Sequence, residues 1–371
     1  MSVFYCVDEN RAMNVSKAIV KGMIWSKQIF LLCTQVRKVR KLKYPEEKGE
    51  GMKRCAELDY AKGIGIILVM LGHSITNMDN PLNTMILSFH MPLFFFLSGI
   101  VIKQDYTVVQ YVLKRIRTIG MPLFTGFFIY NIVGIIVEVV WLKNKNFVNF
   151  NYLQGLDSWF LISLFIASII SFLLVKAGSK CSAVGGAIAL MLFMKTSFGA
   201  INGLKYIEQS LLAILFLLLG YYMGAKSIVY LRKRQGKNGY VFTMLLLLLT
   251  VFSQINGPCA MAANIYGNKV LFILTSLIGI CIVMIVVTSG IRSELLEFCG
   301  RNSIVIFVTH FGVQKLLINI WGKTVTYSYT NFPLYMIMFV MLFTIEIFVA
   351  LLLSKYCPFL FGMRNVAKTD I

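Results

Sequence analysis

The chain has 371 residues, of which 58% are hydrophobic and only 14% charged, and its mean hydropathy is +0.75. A soluble domain needs about a quarter of its residues charged to cover its surface, so soluble globular, disordered and disulfide-scaffold classes are excluded, and lipid is the solvent that suits this composition. Against that background stand 36 Lys and Arg, 16 Asp and Glu and three His, a net charge of +20.

Residues 1–51 differ from the rest. They hold ten Lys/Arg, five Asp/Glu and a short apolar patch, Ile29 to Cys33, too short to span a bilayer. They read as a non-domain leader or a cytoplasmic arm. Lys48-Gly49-Glu50-Gly51, just before Met52, is encodable as a purine-rich stretch resembling a bacterial ribosome-binding site, so Met52 is the expected start. The alternative is an amphipathic arm lying on anionic lipid. Residues 52–371 then form one membrane-embedded domain.

Ten apolar stretches follow, at 63–80, 83–102, 119–141, 159–175, 182–198, 208–224, 239–256, 269–290, 302–320 and 333–354. Most are near the roughly 20 residues of a spanning helix, and lipid-exposed backbone must pair internally, so helices rather than strands are expected. The predicted fold is an all-α polytopic bundle of about ten transmembrane helices with both termini cytoplasmic. With the first span leaving the cytoplasm, the inner segments carry 19 Lys/Arg and the outer ones 6, the asymmetry of the positive-inside rule. The basic balance therefore reports topology, and a nucleic-acid partner has no support. The eight cysteines show no C-x-x-C spacing, which leaves zinc and redox readings unsupported.

Histidine is the side chain best suited to proton transfer near neutral pH. All three, His73, His90 and His310, fall inside expected spans, where ionisable residues usually face a bundle interior or a water-filled cavity. Lys62 and His73 are 11 residues apart, about 1100° of helical turn and about 16 Å of rise. They therefore share one helix face, Lys62 at the membrane edge and His73 well inside. Asn77 follows His73 at i+4 and is expected to orient its ring, and Asp59 is placed to pair with Lys62 at i+3. In the second span, Pro92 removes a backbone donor, which predicts a kink that frees carbonyls near His90. Ser98 and Gly99 permit close helix packing. Lys114, Arg115 and Arg117 then cluster at the cytoplasmic edge, where they suit either anchoring or a phosphorylated donor.

These segments resemble the acyltransferase 3 family of bacterial membrane O-acyltransferases, especially its fucose 4-O-acetylase-like branch. The resemblance covers nearly all of 52–371. It rests on Glu57-Leu58-Asp59-Tyr60-Ala61-Lys62 through Gly72-His73-Ser74, and on Phe89-His90-Met91-Pro92 with Phe94-Phe95-Phe96-Leu97-Ser98-Gly99. Weaker echoes are Trp159-Phe160-Leu161, Gly220-Tyr221-Tyr222-Met223-Gly224, and Gly300-Arg301-Asn302-Ser303 leading to Thr309-His310. Two positions depart from the family pattern: Lys62 stands where many members have Arg, and Lys114-x-x-Arg117 replaces R-x-x-R. With about 17 residues after the tenth span, a membrane-only member is expected.

The resemblance implies transfer of an acyl group, most often acetyl from cytoplasmic acetyl-CoA acting as co-substrate, to a hydroxyl on a cell-surface glycan or its lipid-linked precursor. It places the protein in the bacterial plasma membrane, in contact with lipid. On this reading His73 is the general base, with an acetyl-histidine relay as a variant. His90 orients the acceptor or stabilises the oxyanion, and His310 forms a wall of the site. Lys62, Lys114, Arg115 and Arg117 hold the donor, with Asp59, Asn77 and Glu346 in support. No metal and no permanently bound cofactor is expected. Glu346 lies too deep in the tenth span to reach water and should face polar partners. Lys315 is placed to snorkel, and Glu138 lies near a possible acceptor entrance. The alternative is a transporter or flippase that uses the buried His and Glu, but no convincing inverted repeat supports it. The acceptor sugar and the oligomeric state are not legible.

Overall fold

A computed structural model describes residues 55–75, 79–136, 159–198, 204–234, 238–290, 292–322 and 332–363. The 1–51 segment and its boundary, Asn77 and Glu138 lie outside them. The described helices are α1 Ala56–Ser74, α2 Pro81–Leu87, α3 His90–Ile100, α4 Val108–Arg115, α5 Met121–Ile136, α6 Trp159–Ala177 and α7 Ser179–Lys195. They continue with α8 Leu204–Leu219, α9 Ala225–Lys233, α10 Gly239–Asn256, α11 Lys269–Thr288, α12 Glu294–Arg301, α13 Ser303–Gly322 and α14 Phe332–Tyr356. Among the described residues there is no strand, only one isolated bridge between Ala260 and Ile265.

Eight helical stretches among the described residues are long and apolar enough to cross a membrane. α2 with α3, α4 with α5, and α8 with α9 each count as one such stretch. The other two expected spans correspond to α1, which carries Glu57, Asp59 and Lys62, and to α7, which has 17 residues. The chain is thus an all-α polytopic bundle.

The first expected span, 63–80, is displaced. α1 begins at Ala56 and ends at Ser74, because Glu57 and Asp59 favour the positive end of a helix rather than a loop. Its last turn closes as the Ile75 amide donates to the Leu71 and Gly72 carbonyls. The second span is broken, but not at Pro92. α2 opens on an Asn80 cap, whose side chain accepts from the Leu82 and Asn83 amides, with Pro81 at the first helical position. It stops at Ser88–Phe89, and a new helix starts at His90. Pro92 is therefore the third residue of α3, among the first four amides that lack an intrahelical acceptor. Its missing N–H forfeits nothing there, which is why the expected kink is absent. The carbonyls freed by the break find other donors: Ser88 O accepts from Ser276 Oγ at 2.7 Å, and Ile86 O lies 2.9 Å from His90 Nδ1.

Two helix pairs meet backbone to backbone. A Cβ on Gly63 would overlap the Leu296 carbonyl, and one on Gly300 the Asp59 carbonyl, which locks α1 against α12. Gly99 and Gly220 do the same for α3 and the end of α8, against Leu217 and Phe96. This is the close approach small residues permit inside a bilayer. Two π-helical turns, Ile116–Gly120 and Gly220–Gly224, join α4 to α5 and α8 to α9.

The two ends of the bundle carry different polar networks. At one end, Arg232 pairs with Glu57, and Arg301 with Asp59 and Glu297. At the other, buried Glu208 pairs with Lys269 at 2.6 Å. Lys269 Nζ also donates to Phe193 O at 2.7 Å and to Thr196 O, so it caps the carbonyl end of α7.

Candidate functional site

The site is built where the end of α1 meets the middle of α13. His73 occupies the last turn of α1 and is half-buried. His310 of α13 is fully buried, and the two ring centroids are 5.4 Å apart with a 37° tilt. Phe311 closes the corner, 4.5 Å edge-on to the His73 ring and 4.1 Å from the His310 ring. A turn further along the same face, Gln314 Nε2 donates to the His73 carbonyl at 2.7 Å. That carbonyl is one of the last four of α1, which the helix cannot satisfy itself. Gln314 therefore both supplies the missing partner and fixes the helix end that carries His73.

Hydrogen-bond chemistry constrains the two buried rings. His310 Nδ1 lies 3.1 Å from Ile306 O and 2.8 Å from Phe307 O. A carbonyl oxygen only accepts, so Nδ1 carries the hydrogen, and in the neutral ring Nε2 keeps its lone pair. His310 Nε2 is buried without a hydrogen-bond partner among the described residues. His90, at the first position of α3 and 5% exposed, repeats the pattern through Ile86 O. Both buried imidazoles are thus held as proton acceptors at Nε2. His310 stands beside His73, and His90 opens α3, a helix that packs against α1.

The quoted motif segments converge beside His310. Phe95 packs on Phe160 at 5.0 Å, Phe160 on Phe307 at 5.1 Å, and Phe307 on His310 at 5.8 Å. Trp159 and Phe94 flank Phe160 at 6.0 and 5.9 Å. One aromatic wall therefore joins the second signature, the start of α6 and α13.

The supporting residues fall in several places. Glu346 of α14 is fully buried, and Thr309 Oγ1 lies 2.6 Å from its Oε2, the polar partner expected for it. Asp59 is buried and meets Arg301 at 3.6 Å. Lys62 is half-buried on α1, one continuous helix with His73. The three cations after the second span have different surroundings. Lys114 lies over the Tyr106 ring at 4.5 Å. Arg115 is buried, with Nε and Nη2 donating to Tyr111 OH at 2.9 and 2.6 Å, and Tyr111 stacks on Phe172 at 3.9 Å. Arg117 is exposed on the π turn. Lys315 places its ammonium over Tyr130 at 5.4 Å. Asn77 lies outside the described residues.

Sequence reasoning missed Gln314 and Phe311, and gave Thr309 only within the echo leading to His310. Gln314 had a signal, since it falls four residues after His310 on the same helical face. Phe311 had none, being an ordinary residue of an apolar span, and the pairing of Thr309 with Glu346 is visible only in the fold. Among the described residues no group of His, Cys, Asp and Glu could hold a metal ion.

A family model described as an acyltransferase domain matches residues 56–354. No curated protein and no solved structure matches the chain.

Proposed function

The chain belongs to the acyltransferase 3 family and is an enzyme that transfers acyl groups, and from that premise we propose that it moves acetyl from acetyl-CoA to a hydroxyl of a cell-surface polysaccharide or its lipid-linked precursor. The observation that carries the reading is the imidazole cluster, with a half-buried His73 backed by a fully buried His310 at 5.4 Å. His73 is the ring an acceptor can reach. It takes the proton of the acceptor hydroxyl as the oxygen attacks the thioester carbonyl. When the tetrahedral intermediate collapses, the C–S bond breaks and the thiolate recovers that proton from His73. General-base assistance of this kind is worth roughly 10²–10⁴-fold in rate.

The tautomers divide the other roles. With Nδ1 tied to Ile86 O, neutral His90 offers only a lone pair, so it orients the acceptor hydroxyl and does not donate to an oxyanion. His310 offers the same lone pair behind His73 and serves as a second proton station. Glu346 and Thr309 brace α13 against α14, while Gln314 holds the His73 turn. Lys62, on the same helix as His73, steers the anionic donor, with Lys114 and Arg117 as further cations on the donor side.

The test is transfer of label from acetyl-CoA by the purified protein in lipid nanodiscs to glycans from its own host, together with the acetylation profile of a deletion strain. Labelled ester on the glycan and its loss in the deletion strain are expected. Solute flux without any ester formation would sink the reading.

A further inference from the structure

A cavity of about 470 Å³ opens at the other end of α1 from His73. It is lined by Glu57 and Tyr60 of α1, Arg232 of α9, Thr288 of α11, and Gly290 and Arg292 just beyond. Its volume lies within the range of small-molecule pockets, about 300–1,000 Å³. We propose that this cavity holds the phosphorylated, nucleotide end of the thioester donor, a proposal that rests on reading the chain as an acetyl-CoA-dependent transferase.

Charge is the first argument. Glu57 is the one carboxylate in the lining, and it is already engaged: Arg232 Nε donates to its Oε1 at 2.7 Å, Arg232 Nη2 pairs with the same oxygen, and the Cys55 thiol donates to Oε2 at 3.2 Å. Arg292 is exposed and makes no hydrogen bond or ion pair with the described residues. The cavity therefore keeps one uncompensated guanidinium, whose planar fork matches phosphate oxygens. Beside it, Tyr60 is a buried aromatic side chain suited to lie against a base. The contrast is Arg115, whose guanidinium is given over to Tyr111.

Reach is the second argument. From Tyr60 to His73 is 13 residues of one helix, about 20 Å at helical rise. An extended phosphopantetheine arm covers a distance of that order. Those 13 residues also turn about 220° around the helix, so a donor seated by its phosphates in the cavity carries its arm round α1 as well as along it to deliver the thioester to the histidine cluster. Lys62 lies on the His73 face, where the arm arrives, rather than on the face that lines the cavity.

An anionic lipid headgroup offers the same phosphate chemistry, so the experiment separates the two. Adenosine 3′,5′-bisphosphate is titrated calorimetrically into the full-length protein in nanodiscs of phosphatidylcholine alone, and again with phosphatidylglycerol added. The probe should bind in both lipids, and Arg292→Ala should weaken it about 10–150-fold, the loss of a charge-assisted hydrogen bond. Arg292→Lys should recover part of the affinity. In transfer assays, Arg292→Ala should raise the donor KM by a similar factor while leaving kcat and the acceptor KM unchanged. Arg292 sits exposed at the rim, so folding is checked by an unchanged elution profile. Equal affinity in wild type and Arg292→Ala overturns the proposal, as does loss of probe binding when phosphatidylglycerol is present. Arg292-dependent binding with no acetyl transfer would retain the cavity and reject the reaction. Transfer with an unchanged donor KM in Arg292→Ala would do the reverse.

Discussion

The Glu208–Lys269 pair allows a quantitative check on how the bundle is held together. Glu208 is 1% exposed, Lys269 approaches Oε1 at 2.6 Å, and the Phe198 amide donates to Oε2 at 2.9 Å. Lys269 also caps Phe193 O and Thr196 O, and its ammonium lies 4.5 Å above the Phe193 ring. Glu208→Gln keeps the shape and an acceptor for Phe198 but leaves the lysine without its counter-charge. Removing one member of a buried pair costs about 3–5 kcal/mol. The lower end applies here, because the lysine side chain keeps 14% exposure and two carbonyl partners. Lys269→Met should cost more, since it strands a nearly inaccessible carboxylate and uncaps α7. The double variant should be less destabilised than the sum of the singles, because neither charge is then orphaned. Equilibrium unfolding in bicelles by SDS titration measures all four proteins of the cycle. Single variants within about 0.5 kcal/mol of wild type, the range of ordinary surface changes, or strictly additive effects, would refute the argument.

Two further outcomes follow from the site and the topology. Gln314→Met removes the donor that satisfies the His73 carbonyl at 2.7 Å. An unsatisfied buried acceptor costs about 1–3 kcal/mol of stability, and as the released His73 turn shifts to relieve that cost, transfer should fall several-fold; an unchanged rate would deny Gln314 its positioning role. For the cysteines, a variant retaining only Cys181, which is exposed beside the basic turn between α6 and α7, should react with membrane-impermeant maleimide in inverted vesicles and not in intact cells. Labelling from outside would reverse the orientation. Burial pushes the Cys259 thiol up to about 11, so at pH 8 about one thousandth is thiolate and it should resist alkylation until the protein unfolds.

Much of the bundle was legible in the sequence because a bilayer imposes one simple rule, and each expected stretch coincides with a long helix or a helix pair. Boundaries were less legible where polar residues are helical. Asp59 belongs to α1 because Arg301, 242 positions away, meets it across the Gly63–Gly300 contact, and hydropathy carries no trace of that partner. The break at Ser88–Phe89 was hidden for a similar reason: its freed carbonyls are satisfied by Ser276 and by the His90 ring, and only the assembled fold shows both. That all three histidines lie within the helical spans was readable from the sequence. Their grouping was not, since His73 and His310 meet only through the packing of α1 on α13. Arg232 and Arg292 counted in the sequence as two topology markers among many. Their shared cavity depends on three helix ends coming together.

The central claim is that His73 takes the acceptor's proton, and the most direct measurement is acetyl transfer by His73→Ala, purified in nanodiscs at wild-type yield. The account predicts a rate reduced by about 10²–10⁴-fold, with adenosine 3′,5′-bisphosphate binding unchanged at the far end of α1. Transfer at the wild-type rate, or within a few-fold of it, would contradict the account and leave His73 a packing residue.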